Sequence, residues 1–242
     1  GLYKAALCAV VAVYVLSTLF IILFKVPDFQ AGTFSQSCYR FNGDIGGAIA
    51  LNWLGDEGIK HFAILLGRII PVINVLCVST LAWFSGKHLL PAKRLAQAAK
   101  AVISNPLILA CIIGILYANL WQGFPPFIDN ALKLSSAVAL PLALLSIGGA
   151  LTLTTVRDHF KMSLVSSIFK LMILPAVGYL FLMVFGVSGL VLKVGLIFFA
   201  LPTSSAVHIL SSQLNSDTDL AAASIAMSTL LSFFSLSIVL LL

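Results

Sequence analysis

Apolar residues run in long blocks along this chain, and polar residues gather in short intervals between them. The blocks are Leu2 to Phe24, Phe34 to Leu54, Ile59 to Phe84, Leu107 to Trp121, Ala131 to Leu153, Met162 to Phe185, Leu190 to Leu214 and Leu220 to Leu242. Most approach the roughly 20 residues that an α-helix needs to cross about 30 Å of hydrocarbon. The pattern predicts an all-α membrane protein with eight transmembrane helices. A cleaved signal peptide is short and single, so it would account for one block and not for the series.

Two of the blocks are interrupted. Phe41-Asn42-Gly43-Asp44, followed by Gly46-Gly47, breaks the second, and Leu201-Pro202-Thr203-Ser204-Ser205 breaks the seventh. Adding 160 carries Asn42 to Pro202, Gly43 to Thr203, Asp44 to Ser204, Leu54 to Leu214, and Gly55-Asp56-Glu57 to Asn215-Ser216-Asp217. This shared layout of break, helix end, acidic turn and next span points to an internal repeat, although identity between the copies is low. Each matching block holds three spans and two more lie between them, so the complete repeat has five and the first copy lacks two. Repeats of odd span number insert in opposite orientations, which is the inverted architecture of many carriers. Together with a start at Gly1 directly before an apolar run, the deficit predicts a chain truncated at its N-terminus, from a parent of ten spans.

Composition and charge refine the picture. Hydrophobic residues make up 60% of the chain and charged residues 9%, and the mean hydropathy of +1.10 lies outside soluble usage. The formal charge of +6 is spread along membrane segments, so no nucleic-acid footprint is expected and the lipid bilayer is the partner. Lys87, Lys93, Arg94 and Lys100 form the densest basic cluster, which the positive-inside rule assigns to the cytoplasm. Residues 85–104 are therefore expected to be cytoplasmic, with both chain ends outside. Leu89, Leu90, Leu95, Ala99 and Val102 face away from the basic residues there, as in a helix lying on the membrane surface; a solvated linker is the other reading. Cys8, Cys38, Cys77 and Cys111 are dispersed, which supports neither a disulfide framework nor a metal site, and no cofactor is expected.

Candidate chemistry gathers at the two breaks. Paired interruptions in corresponding helices are the best sequence pointer to a midplane binding site, because unwound backbone offers unpaired N–H and C=O groups. Arg40 and Asp44 flank the first break, and a charge at membrane depth has to be paired or face water. Spaced by four, they can pair with each other on a helix, or they can serve a site. Asn42 and Gly43 favour the site, since Gly permits a non-helical backbone and Asn carries an amide donor and a carbonyl acceptor. Pro202 frees backbone groups that Thr203, Ser204 and Ser205 can satisfy or share with a ligand; a plain proline kink is the alternative. Two half-helix N-termini converging on one point favour an anion, and carboxylate-bearing solutes fit. The substrate-binding candidates are thus Asn42, Gly43, Pro202, Thr203 and Ser204. Arg40, Asp44, Lys170 and His208 are candidates for charge balance or coupling, with snorkelling for Lys170 and packing for His208 as the competing roles. Arg68 is a further cation that can counter an anion or a buried carboxylate. Ser204 and His208 lack the Gly-x-Ser-x-Gly surroundings of a hydrolase, so no enzyme is expected. A channel is harder to separate from a carrier, because broken helices also line pores.

The residues at this point resemble the auxin efflux carrier family, including bacterial members assigned to malonate or related organic acids. The resembling stretches are Phe34-Ser-Gln-Ser-Cys-Tyr-Arg40-Phe-Asn42 with Gly47, Asn105-Pro-Leu-Ile-Leu-Ala with Gly114, Ala139-Leu-Pro141-Leu-Ala-Leu-Leu-Ser-Ile-Gly148, and Ala200-Leu-Pro202-Thr203-Ser204. The resemblance implies a fold similar to the bile acid sodium symporters: ten helices in two inverted five-helix repeats, with two broken crossing helices. It further implies a transport domain formed by residues 1–84 and 154–242, a cytoplasmic connection at 85–104, and a scaffold helix pair at 105–153, through which two copies can pair. The implied function is secondary transport of a small organic anion across the plasma membrane, in the efflux direction. The alternative is a sodium- or proton-coupled symporter of the bile acid type. Phe41 and Ala48-Ile49 depart from the Gly and Pro that many relatives carry there, and Asp44 is unusual beside an anion site.

Overall fold

Every helix end in lipid strands backbone N–H and C=O groups that water cannot reach, so the ends of the helices show what holds this chain together. The computed structural model describes residues 1–86, 91–121, 123–150 and 153–241. The chain forms α1 (Leu2–Leu23), α2 (Asp28–Tyr39), α3 (Gly43–Ser85), α4 (Pro91–Ile103), α5 (Pro106–Leu120) and α6 (Pro126–Ala150). There follow α7 (Leu153–Asp158), α8 (Phe160–Ile168), a π-helical turn (Phe169–Ile173), α9 (Leu174–Val184), α10 (Gly189–Ala200), α11 (Ala206–Gln213) and α12 (Thr218–Leu240). The fold is all-α, as the apolar blocks predict.

By length and composition alone, four described stretches can cross a membrane: Leu2–Leu23, Asp28–Ser85, Phe160–Val184 and Thr218–Leu241. The pair Leu95–Ile103 and Ile108–Leu120, bent by 45°, adds a fifth. Asp28–Ser85 contains 58 residues and would be about 87 Å long as one straight rod, far beyond the bilayer. It is not one rod. Residues 40–42 interrupt it, and Gly55 at φ 65°, ψ −161° ends the helical path inside α3. The second and third expected spans both lie in this stretch, and the second starts at Asp28 rather than at Phe34. The seventh is divided into α10 and α11, of 12 and 8 residues. The stretch expected as a surface helix or a solvated linker is helical from Pro91, with Lys93 and Lys100 exposed and Ala98 buried against α3. Its first expected residues, Lys87 to Leu90, lie outside the described residues.

α2 occupies the middle of the molecule, packed against α1, α3, α8, α11 and α12. Ala31 to Tyr39 are all buried, although this helix is barely apolar. Protein rather than lipid surrounds it, so its polar side chains find partners. Thr33 Oγ1 lies 2.7 Å from Ser211 Oγ and 2.9 Å from Ser216 Oγ, and Gln36 Nε2 donates to Ser211 Oγ at 2.9 Å. At the end of this seam Asp217 accepts from Gln30 Nε2 at 3.0 Å, meets His159 Nε2 at 3.2 Å, and caps α12 through Leu220 N. Elsewhere small residues let helices approach closely, as membrane helices do without a hydrophobic drive between them. Ala5, Ala6 and Ala9 are fully buried on α1, and Ser166 of α8 hydrogen-bonds Ser224 of α12. Large apolar side chains such as Leu23, Leu180, Leu230 and Phe233 stand on the outside, where a soluble protein would carry charge.

Two helix ends 161 residues apart, one residue off the sequence offset of 160, share their geometry. Phe24 N donates to Phe20 O and Val26 N to Ile21 O, around Lys25 at φ 50°. Phe185 N donates to Phe181 O and Val187 N to Leu182 O, around Gly186 at φ 62°. Both are Schellman ends, one closing α1 and the other α9. Gly55 and Asn215, which differ by 160 in number, also both have positive φ.

Close packing at glycine gives a test. A Cβ on Gly178 of α9 would overlap the Phe199 ring of α10, whereas one on Gly67 of α3 would meet nothing within 4 Å. Gly178→Ala is expected to lower stability by about 1–3 kcal/mol. Gly67→Ala is expected to raise it by up to about 1 kcal/mol through helix propensity. Thermal unfolding of the two variants in the same detergent checks the difference.

Candidate functional site

Arg40, Phe41 and Asn42 leave the helical path because α2 stops at Tyr39 and Asn42 caps the next helix. Arg40 is extended, at φ −73° and ψ 134°. The Asn42 side chain accepts from Asp44 N at 3.1 Å and Ile45 N at 3.2 Å, so it occupies the first donors of α3. In the other interrupted helix, Leu201 is extended after α10, Pro202 supplies no donor, and Ser204 Oγ accepts from Ala206 N at 3.2 Å ahead of α11.

The two breaks meet. Asn42 N donates to Pro202 O at 2.9 Å, a backbone bond between segments 160 residues apart. Thr203 Oγ1 donates to Ser37 O at 3.0 Å, satisfying a carbonyl in the last turn of α2, while Thr203 N donates to Ser228 Oγ of α12 at 3.1 Å. The end of α10 is treated likewise: Lys170 Nζ donates to Phe199 O at 3.3 Å and Ser235 Oγ to Ala200 O at 3.0 Å. The Phe41 and Phe198 rings pack at 4.5 Å between centroids, and Gly46 sits against Leu201 and Phe62 with no room for a Cβ.

Beside this junction lies a cavity of about 320 Å³, lined by Arg40, Phe41, Gly43, Asp44, Leu66, Ile70, Ile73, Asn74, Ser204 and Ala206. Arg40 is 7% exposed; its Nη2 donates to Asn74 Oδ1 at 2.9 Å, and its Nη1 has no partner. Asp44 stands exposed at the rim. The i, i+4 ion pair open from the sequence is not formed: among the described residues the ion pairs are Lys60–Glu57, Lys133–Asp129 and His159–Asp217. The reason is local. Arg40 is extended, so the helical spacing that would bring it over Asp44 does not apply.

Of the sequence candidates, Arg40, Gly43, Asp44 and Ser204 line the cavity, and Asn42 and Pro202 form the junction behind it. Thr203 has both its N–H and its hydroxyl engaged in structural bonds. Lys170 is fully buried under the end of α10 and away from Asp44, so it neither snorkels nor lines the cavity. His208 sits half-buried in the first turn of α11, outside the lining. Arg68 is exposed beside a different cleft, next to Gly1 and Val191. The residue that sequence reading missed is Asn74, which holds the guanidinium. Its signal was present, a lone amide in the apolar run after Pro71.

A helical membrane protein whose two interrupted helices join over a small cavity, with a half-satisfied arginine inside, has the architecture of a transport protein. Residues 90–240 match the model of a family described as membrane transport protein, and the chain belongs to that family; membrane transport follows as its activity. The matched stretch contains the second break and Lys170 but not Arg40, Asn42 or Asp44. No curated protein sequence matches the chain.

Thr203→Val tests the structural bond at the junction. It leaves the Ser37 carbonyl buried without its partner, and is expected to destabilise the protein by about 1–3 kcal/mol. Unfolding of the purified variant measures this.

Proposed function

We propose that this protein is a secondary transporter that moves a small organic anion across the plasma membrane by alternating access, in the efflux direction, and that the cavity at the paired breaks is its substrate site. One observation carries the reading: the Asn42–Pro202 bond joins two unwound segments directly beside an arginine with a free buried nitrogen. Burying a charge costs several kcal/mol unless it is compensated, and a carboxylate entering the cavity supplies that compensation. The volume lies near the low end of ligand pockets, in keeping with a small solute.

Two further features support the carrier architecture. Matching Schellman ends on α1 and α9, and positive φ at Gly55 and Asn215, are what two copies of one repeat would produce. Phe29, Gln30, His159 and Asp217 gather at one end of the molecule, and the positive-inside reading of Lys25, Arg157 and Lys161 assigns that end to the cytoplasm. Residues 1–84 with 154–242 then form the moving domain, residues 85–104 lie in the cytoplasm, and 105–153 are the scaffold.

Asn42→Ala removes the α3 cap, a loss of about 0.5–2 kcal/mol in stability, and unsettles the junction. It is expected to abolish solute exchange in vesicles while membrane insertion, read by extraction and gel filtration, stays intact. Wild-type exchange in that variant would remove the site. Saturable flux stimulated by solute on the opposite side supports the carrier; unitary conductance steps would make the protein a channel.

A further inference from the structure

The charges lining the cavity specify more than an anion. Among the described residues, Arg40 and Asp44 are the only charged ones in its lining, they are of opposite sign, and they form no ion pair with each other. Arg40 is buried and its Nη1 has no partner; Asp44 is exposed at the rim. Position in the first turn of α3 suits Asp44 electrostatically, because a carboxylate there faces the positive end of the helix. That accounts for its tolerance in this place, and it also fixes a negative charge on the wall of a site that would otherwise attract anions of any valence.

The consequence follows from charge matching. A dicarboxylate would satisfy Arg40 with one end and bring its other end toward Asp44 on the same wall, where like charges repel. A simple monocarboxylate satisfies Arg40 and leaves Asp44 without a counter-charge. A solute with one carboxylate and one ammonium satisfies both. Phe41, Leu66, Ile70 and Ile73 supply apolar walls, so a short hydrocarbon portion is accommodated between the charged ends. Ser204 Oγ accepts from Ala206 N, and its own hydrogen is available to a carboxylate oxygen.

We propose that the cavity beside the paired breaks binds a small zwitterion, an amino acid whose carboxylate meets Arg40 and whose ammonium meets Asp44. This rests on the carboxylate site proposed above and keeps its carboxylate, with a net-neutral solute in place of an anion. Asn74 is the positioning residue, since its Oδ1 holds Nη2 of the arginine that lines the cavity and leaves the buried Nη1 without a partner.

The test is calorimetric binding and counterflow exchange with the full chain in lipid nanodiscs and vesicles, using propionate, succinate, alanine, β-alanine and γ-aminobutyrate. At least one of the three amino acids is expected to bind tenfold or more tightly than propionate and succinate, and the best of them reports the separation of the two charged groups. Asp44→Asn is expected to bring amino-acid affinity down to that of propionate and to raise that of succinate. Propionate or succinate binding as tightly as every amino acid in the unmodified protein would overturn the zwitterion while leaving the carboxylate carrier standing. Amino-acid preference that survives Asp44→Asn would overturn the role of Asp44. Binding and exchange of none of the five would overturn both readings.

Discussion

The hydrogen bond from Asn42 N to Pro202 O is the constraint around which the rest is arranged. Interrupting a helix inside a membrane strands N–H and C=O groups, and hydrocarbon offers them nothing. Two interruptions placed against each other can supply each other's needs. Here the first break donates to the second through this backbone bond, and the second donates to the first through Thr203 Oγ1 on Ser37 O. The remaining ends are closed by side chains: the Asn42 amide oxygen over α3, Ser204 before α11, and Lys170 and Ser235 under the last carbonyls of α10. Lys170 is buried with its side-chain nitrogen at the negative end of α10.

Packing follows from that junction. Backbones that meet at hydrogen-bond distance bring their side chains close, which is why Gly46 lies under Leu201 and why Phe41 and Phe198 stack edge to face. The polar seam of Thr33, Gln36, Ser211, Ser216 and Asp217 extends the same contact from the junction to one end of the molecule. It couples α2 to α11 and α12. Among the described residues two buried side-chain polar atoms lack a partner, Gln36 Oε1 and Arg40 Nη1, and the second belongs to a residue that lines the cavity. Nearly all the polar groups around the junction are satisfied from within, and the arginine nitrogen is left for something else.

Much of this was legible in the sequence because it depends on local chemistry. Pro202 cannot donate, Asn42 caps a helix, and a glycine follows it; those properties favour a break, and it is their clustering within a few residues that marks these two places, since the lone Pro71 and Pro141 stay inside helices. Legibility failed where a residue's neighbours come from distant parts of the chain. The second span begins at Asp28, before its apolar run, because the start of α2 is held by Gln30 to Asp217 and by Phe29 O to Ser216 and Asp217 rather than by lipid. Lys170 and Arg40 look alike along the sequence, two cations inside apolar blocks. Lys170 ends under a helix C-terminus and Arg40 in a cavity.

Sequence by itself determined that the chain is a helical membrane protein and marked the two places where helices are interrupted, since hydropathy over some 20 residues and clusters of Pro, Gly, Asn and Ser act locally, whereas the lone Pro71 and Pro141 remain inside helices. The tertiary structure alone decided that the interruptions touch, that Arg40 is held by Asn74 and stays apart from Asp44, and that Thr203, Lys170 and His208 lie outside the cavity lining. Those outcomes depend on distances between segments far apart in the chain. Such distances are set by which surfaces pack together, and no periodicity within one segment encodes them.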